Sequence, residues 1–172
     1  MASYRHLARI AVMQTIFAYE FRKGVDPGSM LEYCSREFSD KLKDMSFAHE
    51  LLEGMIRKMP ELVRIIQQEA PEWPIDRIAP IDRAILEIGV YEIMFSGDVP
   101  PIVAINEAVE IAKSYGDTNS AKFVNGVLST VMHKYCAEGE VKSQKAEGKS
   151  DKPKAKSEDG KIVPPAIPVA PE

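Results

Sequence analysis

Between Pro80 and Phe95 the chain is apolar on nearly every side. Ile81, Ala84, Ile85, Leu86, Ile88, Val90, Tyr91, Ile93, Met94 and Phe95 leave no continuous polar face. A helix of that kind belongs at the centre of a bundle, enclosed by other helices. The rest of the sequence supplies them. Leu7, Ile10, Ala11, Gln14, Phe17, Ala18 and Phe21 recur with i, i+3, i+4 and i+7 spacing and predict a first helix that ends at Gly24. Asp26-Pro27 opens a second, carrying Met30, Cys34, Glu37 and Phe38. A third begins near Ser46 with Phe47, Leu51, Leu52, Met55, Ile56 and Met59, and Pro60 is expected to kink or restart it before Leu62, Val63 and Ile66. After the central helix, Gly97 to Pro101 turns the chain into a helix from about Val103 to Tyr115, with Gly116 expected to stop it in a left-handed conformation. Asp117, Thr118, Asn119 and Ser120 offer N-caps for a last helix to about Tyr135. Alternating β-branched runs and hairpin turns are missing. The prediction is an all-α, compact bundle of six to seven helices without internal repeats.

The bundle does not use the whole chain. Of 172 residues, 1–136 hold 15 Lys+Arg and 19 Asp+Glu, the full net charge of −4, whereas 137–172 hold seven of each sign. The latter segment has no aromatic residue and five of the twelve prolines. Its Lys/Ser/Glu/Gly mixture buries too little apolar surface to offset the entropy of ordering it, so 137–172 is expected to be a disordered Lys/Glu/Pro-rich tail. Residues 162–172 suggest extended polyproline-like chain, either a docking peptide or a dispensable extension. The working domain is 1–136.

Composition also bounds function. No apolar run approaches a membrane span, and charges among residues 1–9 argue against a secretory signal. Cys34 and Cys136 form neither a disulfide framework nor a metal-ligand spacing, so a cytoplasmic protein without metal is expected. His6, His49 and His133 are scattered, and no phosphate loop, dinucleotide fingerprint or nucleophile elbow appears. Asp76 and Asp82 flank Pro80. They suit acid–base work or, more simply, complement the positive end of a helix. No catalytic residue and no cofactor is assigned.

Two patches stand out. Residues 1–23 net +3 inside an acidic body, with Arg5 and Arg9 four apart and His6 beside them. They read either as a phosphate-tracking patch, since screening leaves only charges within about 8 Å to set the local field, or as a solvated face. At the start of the last helix, Ser120, Lys122 and Phe123 sit where free N–H groups favour an anion. Phe123 reads as a stacking platform for an unpaired base, or as core beside Val124, Val127 and Leu128.

Several blocks carry a family resemblance: Arg5-x-x-Ala-Arg9 followed by Gln14, Asp82-Arg-Ala-Ile-Leu86, Val90-Tyr-Glu92, Val103-Ala-Ile-Asn-Glu-Ala108 with Lys113, and Ser120-Ala-Lys-Phe-Val-Asn-Gly-Val-Leu128. In this order, over about residues 4–133, the chain resembles the NusB transcription antitermination factors. The resemblance implies a non-enzymatic protein that binds a boxA-type single-stranded RNA of ribosomal RNA operons together with a small-subunit ribosomal protein. With other Nus factors and RNA polymerase, such a complex suppresses premature termination. By position it implies an RNA surface of Arg5, His6, Arg9 and Phe17 on the first helix. Asp76 and Asp82 join as acceptors for base edges, with Ser120, Lys122 and Phe123 at the last helix. Two departures are visible. Leu7 and His6 thin an often arginine-rich start, and Phe17 stands where Tyr is common; both imply weaker RNA affinity alone and more reliance on the partner. Two other readings remain. NusB-like domains also resemble the recognition part of some ribosomal RNA methyltransferases, here without a catalytic domain, and a protein-interaction scaffold without RNA binding fits the thinned patch. Arg83, Asn106 and Glu107 are expected to satisfy one another or helix ends, and Gly89 and Gly126 to permit close helix packing.

Overall fold

The computed structural model describes residues 3–22 and 24–136. The expected tail over 137–172 lies outside the described residues. Within them, six α-helices build the bundle: α1 (Tyr4–Phe21), α2 (Pro27–Ser35), α3 (Ser46–Glu69), α4 (Pro80–Tyr91), α5 (Pro101–Tyr115) and α6 (Ser120–Val131). Single 3-10 turns follow α2 and precede α4, and five-residue π turns extend α4 (Glu92–Ser96) and α6 (Met132–Cys136).

Helix α4 is the axis, packed on α1, α3, α5 and α6. Ala84 to Val90 are buried without interruption. Its neighbours present one face each: Leu7, Ala8, Ile10, Ala11 and Met13 from α1, Leu51, Met55, Leu62 and Ile66 from α3, Ala104, Ala108 and Ile111 from α5, Val124, Leu128 and Val131 from α6. Two close approaches make this axis possible. A Cβ at Gly89 would collide with the side chain of Leu128, and one at Gly54 with the ring of Tyr91.

Local chemistry explains most boundaries. The Ser3 side chain accepts from the His6 N–H at 3.2 Å and starts α1. Asp26 accepts from the Ser29 N–H at 2.8 Å and Pro27 occupies the first turn of α2. Pro80 and Pro101 likewise open α4 and α5.

Three local expectations are corrected. Helix α3 runs unbroken through Pro60, because the same face is buried on both sides of it, by Leu51, Leu52 and Met55 before and Leu62, Ile65 and Ile66 after. That burial outweighs the roughly 3 kcal/mol a lone interior proline costs. Gly116 is extended rather than left-handed (φ −88°, ψ −172°), and its missing Cβ leaves room for the Ser120 side chain. Positive φ is found instead at Gly97, φ +64°, after the π turn, and at Gly24, φ +86°, just beyond α1. No side chain caps α6: the Ser120 hydroxyl turns back to accept from the Asp117 N–H at 2.8 Å.

Candidate nucleic-acid interface

The first turns of α1 carry the basic residues, and they divide by depth. Arg5 is exposed, its guanidinium 4.9 Å from the centre of the Phe47 ring. Arg9, one turn on, also lies over Phe47, at 5.2 Å, but is buried. Its Nε and Nη2 donate to both oxygens of Glu92, at 2.7–3.0 Å, and Nη1 reaches Glu107 at 3.3 Å. Glu107 is also bonded by the His6 ring at 2.8 Å. One network, buried at Arg9 and Glu92 and partly exposed at His6 and Glu107, therefore ties α1 to the end of α4 and to α5. The i, i+4 spacing does stack the two arginines, yet the charge of Arg9 is spent on Glu92. Arg9 is thus corrected from a surface cation to a buried brace, for a pair this far from water needs its full set of bonds.

A second cluster joins α4 to α6. Asp82 and Ser120 are both buried, and the Ser120 hydroxyl donates to Asp82 Oδ2 at 2.9 Å. Asp82 Oδ1 has no partner among the described residues. Burial pushes the Asp82 carboxyl above the usual carboxylate range, opposed by the Ser120 bond and reinforced by Asp117 nearby. Asp82 and Ser120, expected on the surface, thus lie beneath it; their mutual bond fixes where α6 begins. Asp76 lies apart, exposed in the 3-10 turn before α4. Phe17 is half-buried farther along α1, its ring 5.2 Å from that of Phe21. It is one turn from Glu20, which pairs with Arg83 of α4.

The third group is open to solvent. Lys122 is exposed and has no ion-pair partner among the described residues. Phe123 packs one side on the core and turns the other to Trp73, ring centres 5.9 Å apart and edge to face. Trp73 is 53% exposed. Both rings line an open groove of about 490 Å³, together with Asn119, Gly126 and Thr130. The reading of Phe123 as core holds in part: it is partly buried against the core, and its open side forms an aromatic wall with Trp73.

The whole helical body matches the NusB family model, over residues 6–133. The chain belongs to the NusB family. It is 39% identical over 127 residues to the transcription antitermination protein NusB of Bacillus velezensis, covering 74% of this chain and 94% of that protein. Its fold is similar to that of NusB from T. maritima, with TM-score 0.71 and 33% identity over 83% of this chain and 99% of that one. It is also similar, with TM-score 0.69 and 30% identity over 78% of this chain and 100% of that one, to a crystal structure of the antitermination factors NusB and NusE in complex with dsRNA.

Three contributors, Trp73, Phe47 and Glu92, lie outside the site residues that the sequence pointed to. Trp73, the single tryptophan, is bracketed by Pro71 and Pro74, and a large aromatic in so short a turn was the available signal. Phe47 and Glu92 look like ordinary core and helix-end residues until the fold brings α1 to them. Arg83 and Glu107 find Glu20 with Glu87, and Arg9 with His6, rather than each other, while Asn106 is exposed. Gly126 faces open space rather than a neighbouring helix. Among the described residues no helix is long and apolar enough to cross a membrane, and no group of three His, Cys, Asp or Glu residues is placed to hold a metal ion.

Proposed function

We propose that this chain is a transcription antitermination factor of the cytoplasm, with no chemistry of its own. It binds a boxA-type single-stranded RNA of ribosomal RNA operons together with a small-subunit ribosomal protein, and with other Nus factors and RNA polymerase it suppresses premature termination. The observation that carries this reading is the family match across 6–133, joined to the likeness to NusB in a complex with NusE and dsRNA. Arg5 and Lys122 supply phosphate contacts, His6 and Asp76 supply hydrogen bonds, and Phe17 and Phe123 supply faces for bases. Arg9, Asp82 and Ser120 support that surface from below. A preference for single strands follows from the aromatic faces, which only unpaired bases can meet. With Arg9 neutralised, few cations remain for RNA, so the partner protein is needed to complete the surface.

The test is an anisotropy titration of the full chain with a boxA-like RNA and a scrambled one, with and without the ribosomal partner. The boxA-like RNA binds more tightly, most clearly with the partner present. Arg5→Glu combined with Lys122→Glu abolishes RNA binding and leaves partner binding intact. Equal affinity for both RNAs under both conditions would sink the sequence-specific reading.

A further inference from the structure

We propose that the groove between the end of α3 and α6 is the docking site of this chain's own proline-rich segment, residues 162–172, which lie outside the described residues. Trp73 and Phe123 touch, so nothing enters between the two rings. What they present is a joint apolar wall, and Trp73 is 53% exposed although the core beside it is closed. One bank of the groove is the end of α3 with Trp73; the other is a single face of α6 from Asn119 to Thr130. Aromatic grooves of this form take extended proline-rich chain, whose stiff backbone loses little entropy on docking. The segment Ile162-Val-Pro-Pro-Ala-Ile-Pro-Val-Ala-Pro-Glu172 has the matching pattern. Pro165, Pro168 and Pro171 recur at every third residue, and a polyproline helix turns once in three residues, so the three share one face. From Pro165 to Pro171 such a helix spans about 19 Å. The α6 bank, from Asn119 to Thr130, spans about 17 Å. The lengths agree.

The polar groups of the groove suit the same occupant. The Trp73 indole N–H and the Asn119 side-chain amide have no partner among the described residues. Both donate, and a proline-rich chain has carbonyls in excess because proline lacks an N–H. A Cβ at Gly126 would meet nothing of the protein within 4 Å, so the floor is open to a pyrrolidine ring. The connection of the chain then selects this segment. Lys134 and Tyr135, just before Cys136, bond Glu69 on the α3 bank at 2.6 and 3.1 Å, so the chain leaves the body beside the groove. Residues 137–161 form a tether that reaches about 80 Å when extended, ample to return the segment. Between Lys142 and Lys156 this tether carries six lysines against two carboxylates, opposite in sign to the net −4 of residues 1–136. Tethering supplies an effective concentration of about 1 mM, so a peptide with a Kd of about 0.1 mM is about 90% docked once joined to the chain. Docking covers Lys122 and Phe123, so the segment also competes with RNA, a consequence that rests on the RNA-binding reading above.

Because Trp73 is the single tryptophan, its emission reports this groove alone. Acrylamide quenching is compared in the full chain and in a full-length variant carrying Pro165→Ser, Pro168→Ser and Pro171→Ser. The variant is expected to be quenched about twofold more strongly at an unchanged melting temperature, because docking hides roughly half of the open indole. A fluorescein-labelled peptide of residues 161–172 binds that variant with a Kd of about 0.1 mM or below and restores the protection. Trp73→Ala in the same background weakens the peptide about tenfold. Equal quenching of the two chains, no saturable peptide binding up to about 1 mM, or undiminished peptide affinity in Trp73→Ala overturns the inference. Protection that grows with protein concentration assigns the groove to the segment of a second copy and overturns docking within one chain. The serine variant is also expected to bind the boxA-like RNA about tenfold more tightly, since only the open tenth of the parent chain is competent. Unchanged RNA affinity beside an intact quenching response counts against RNA at Lys122 and Phe123 and leaves the docking standing.

Discussion

The two ends of the proposed RNA surface use the same residue types in opposite ways. Beneath the start of α1, Arg9 is 3% exposed and grips Glu92 with two nitrogens while touching Glu107. At the start of α6, Lys122 stands in solvent without a carboxylate, beside aromatic rings that are only partly covered. A buried, fully bonded charge serves the fold, because removing one partner strands the other out of water. An exposed charge contributes little to stability and stays available to a ligand. Basic residues in a family motif can therefore do different work although they sit in comparable blocks.

The largest effect falls on the buried side. Arg9→Ala is expected to destabilise the fold by about 3–5 kcal/mol, because Glu92 is left buried and unpaired. Replacing both, as Arg9→Met with Glu92→Leu, recovers most of that loss. Lys122→Ala stays within about 0.5 kcal/mol of the parent chain. Urea unfolding of the four proteins checks all three statements. A Lys122→Ala loss comparable to that of Arg9→Ala would erase the distinction between the two ends.

Other charges on α4 sharpen it further. Glu87 is buried like Glu92, but Arg83 is its cation at 3.9 Å and is shared with Glu20. Burial pushes the Glu87 carboxyl up to about 7 from 4.5, against the lesser pull of Arg83. A folded-state value above the unfolded one means that the fold binds the proton more tightly. The contribution of Glu87 to stability is thus complete below about pH 4.5 and is lost as pH rises through about 7. Glu87→Gln is expected to flatten that part of the stability–pH curve, and chemical unfolding at pH 5 and 8 measures it. An unchanged slope would show that Arg83 grips Glu87 as Arg9 grips Glu92.

How much of this could be read in advance depended on the range of the interaction. The all-round apolar pattern of 80–95 placed α4 at the centre because every neighbour must cover it, and the i, i+4 spacing rightly stacked Arg5 over Arg9. Spacing carries no depth, however. Arg9 is buried by Glu92, 83 residues away, and only the packing of α1 on α4 brings them together. Asp82 and Ser120 repeat the lesson across 38 residues. Pro60 shows the converse: a local breaker was legible, but the apolar face continuing on both sides overrode it. Trp73 escaped notice because one aromatic in a turn has no periodicity, and its significance lies in Phe123, which reaches it from another helix.

Two glycines bring the comparison to its smallest scale. Gly89 lies where α4 meets Leu128 of α6, and Gly126, on α6 itself, faces the groove. Gly89→Ala forces a methyl into the buried Leu128 side chain and is expected to cost about 1–3 kcal/mol, despite the gain in helix propensity. Gly126→Ala meets no protein atom, so it is expected to stabilise α6 by about 0.4–1 kcal/mol through the loss of backbone freedom in the unfolded chain. Helix propensity alone therefore disfavours glycine at 126, and packing does not require it. The open wall of the groove supplies the reason. A methyl there narrows the space facing Trp73, so Gly126→Ala is expected to raise the melting temperature slightly while weakening binding of the 161–172 peptide. Thermal unfolding and peptide anisotropy, both in the proline-to-serine background, separate the two effects. A more stable variant with undiminished peptide affinity would leave Gly126 without a role in the groove and return it to the structural side of the division.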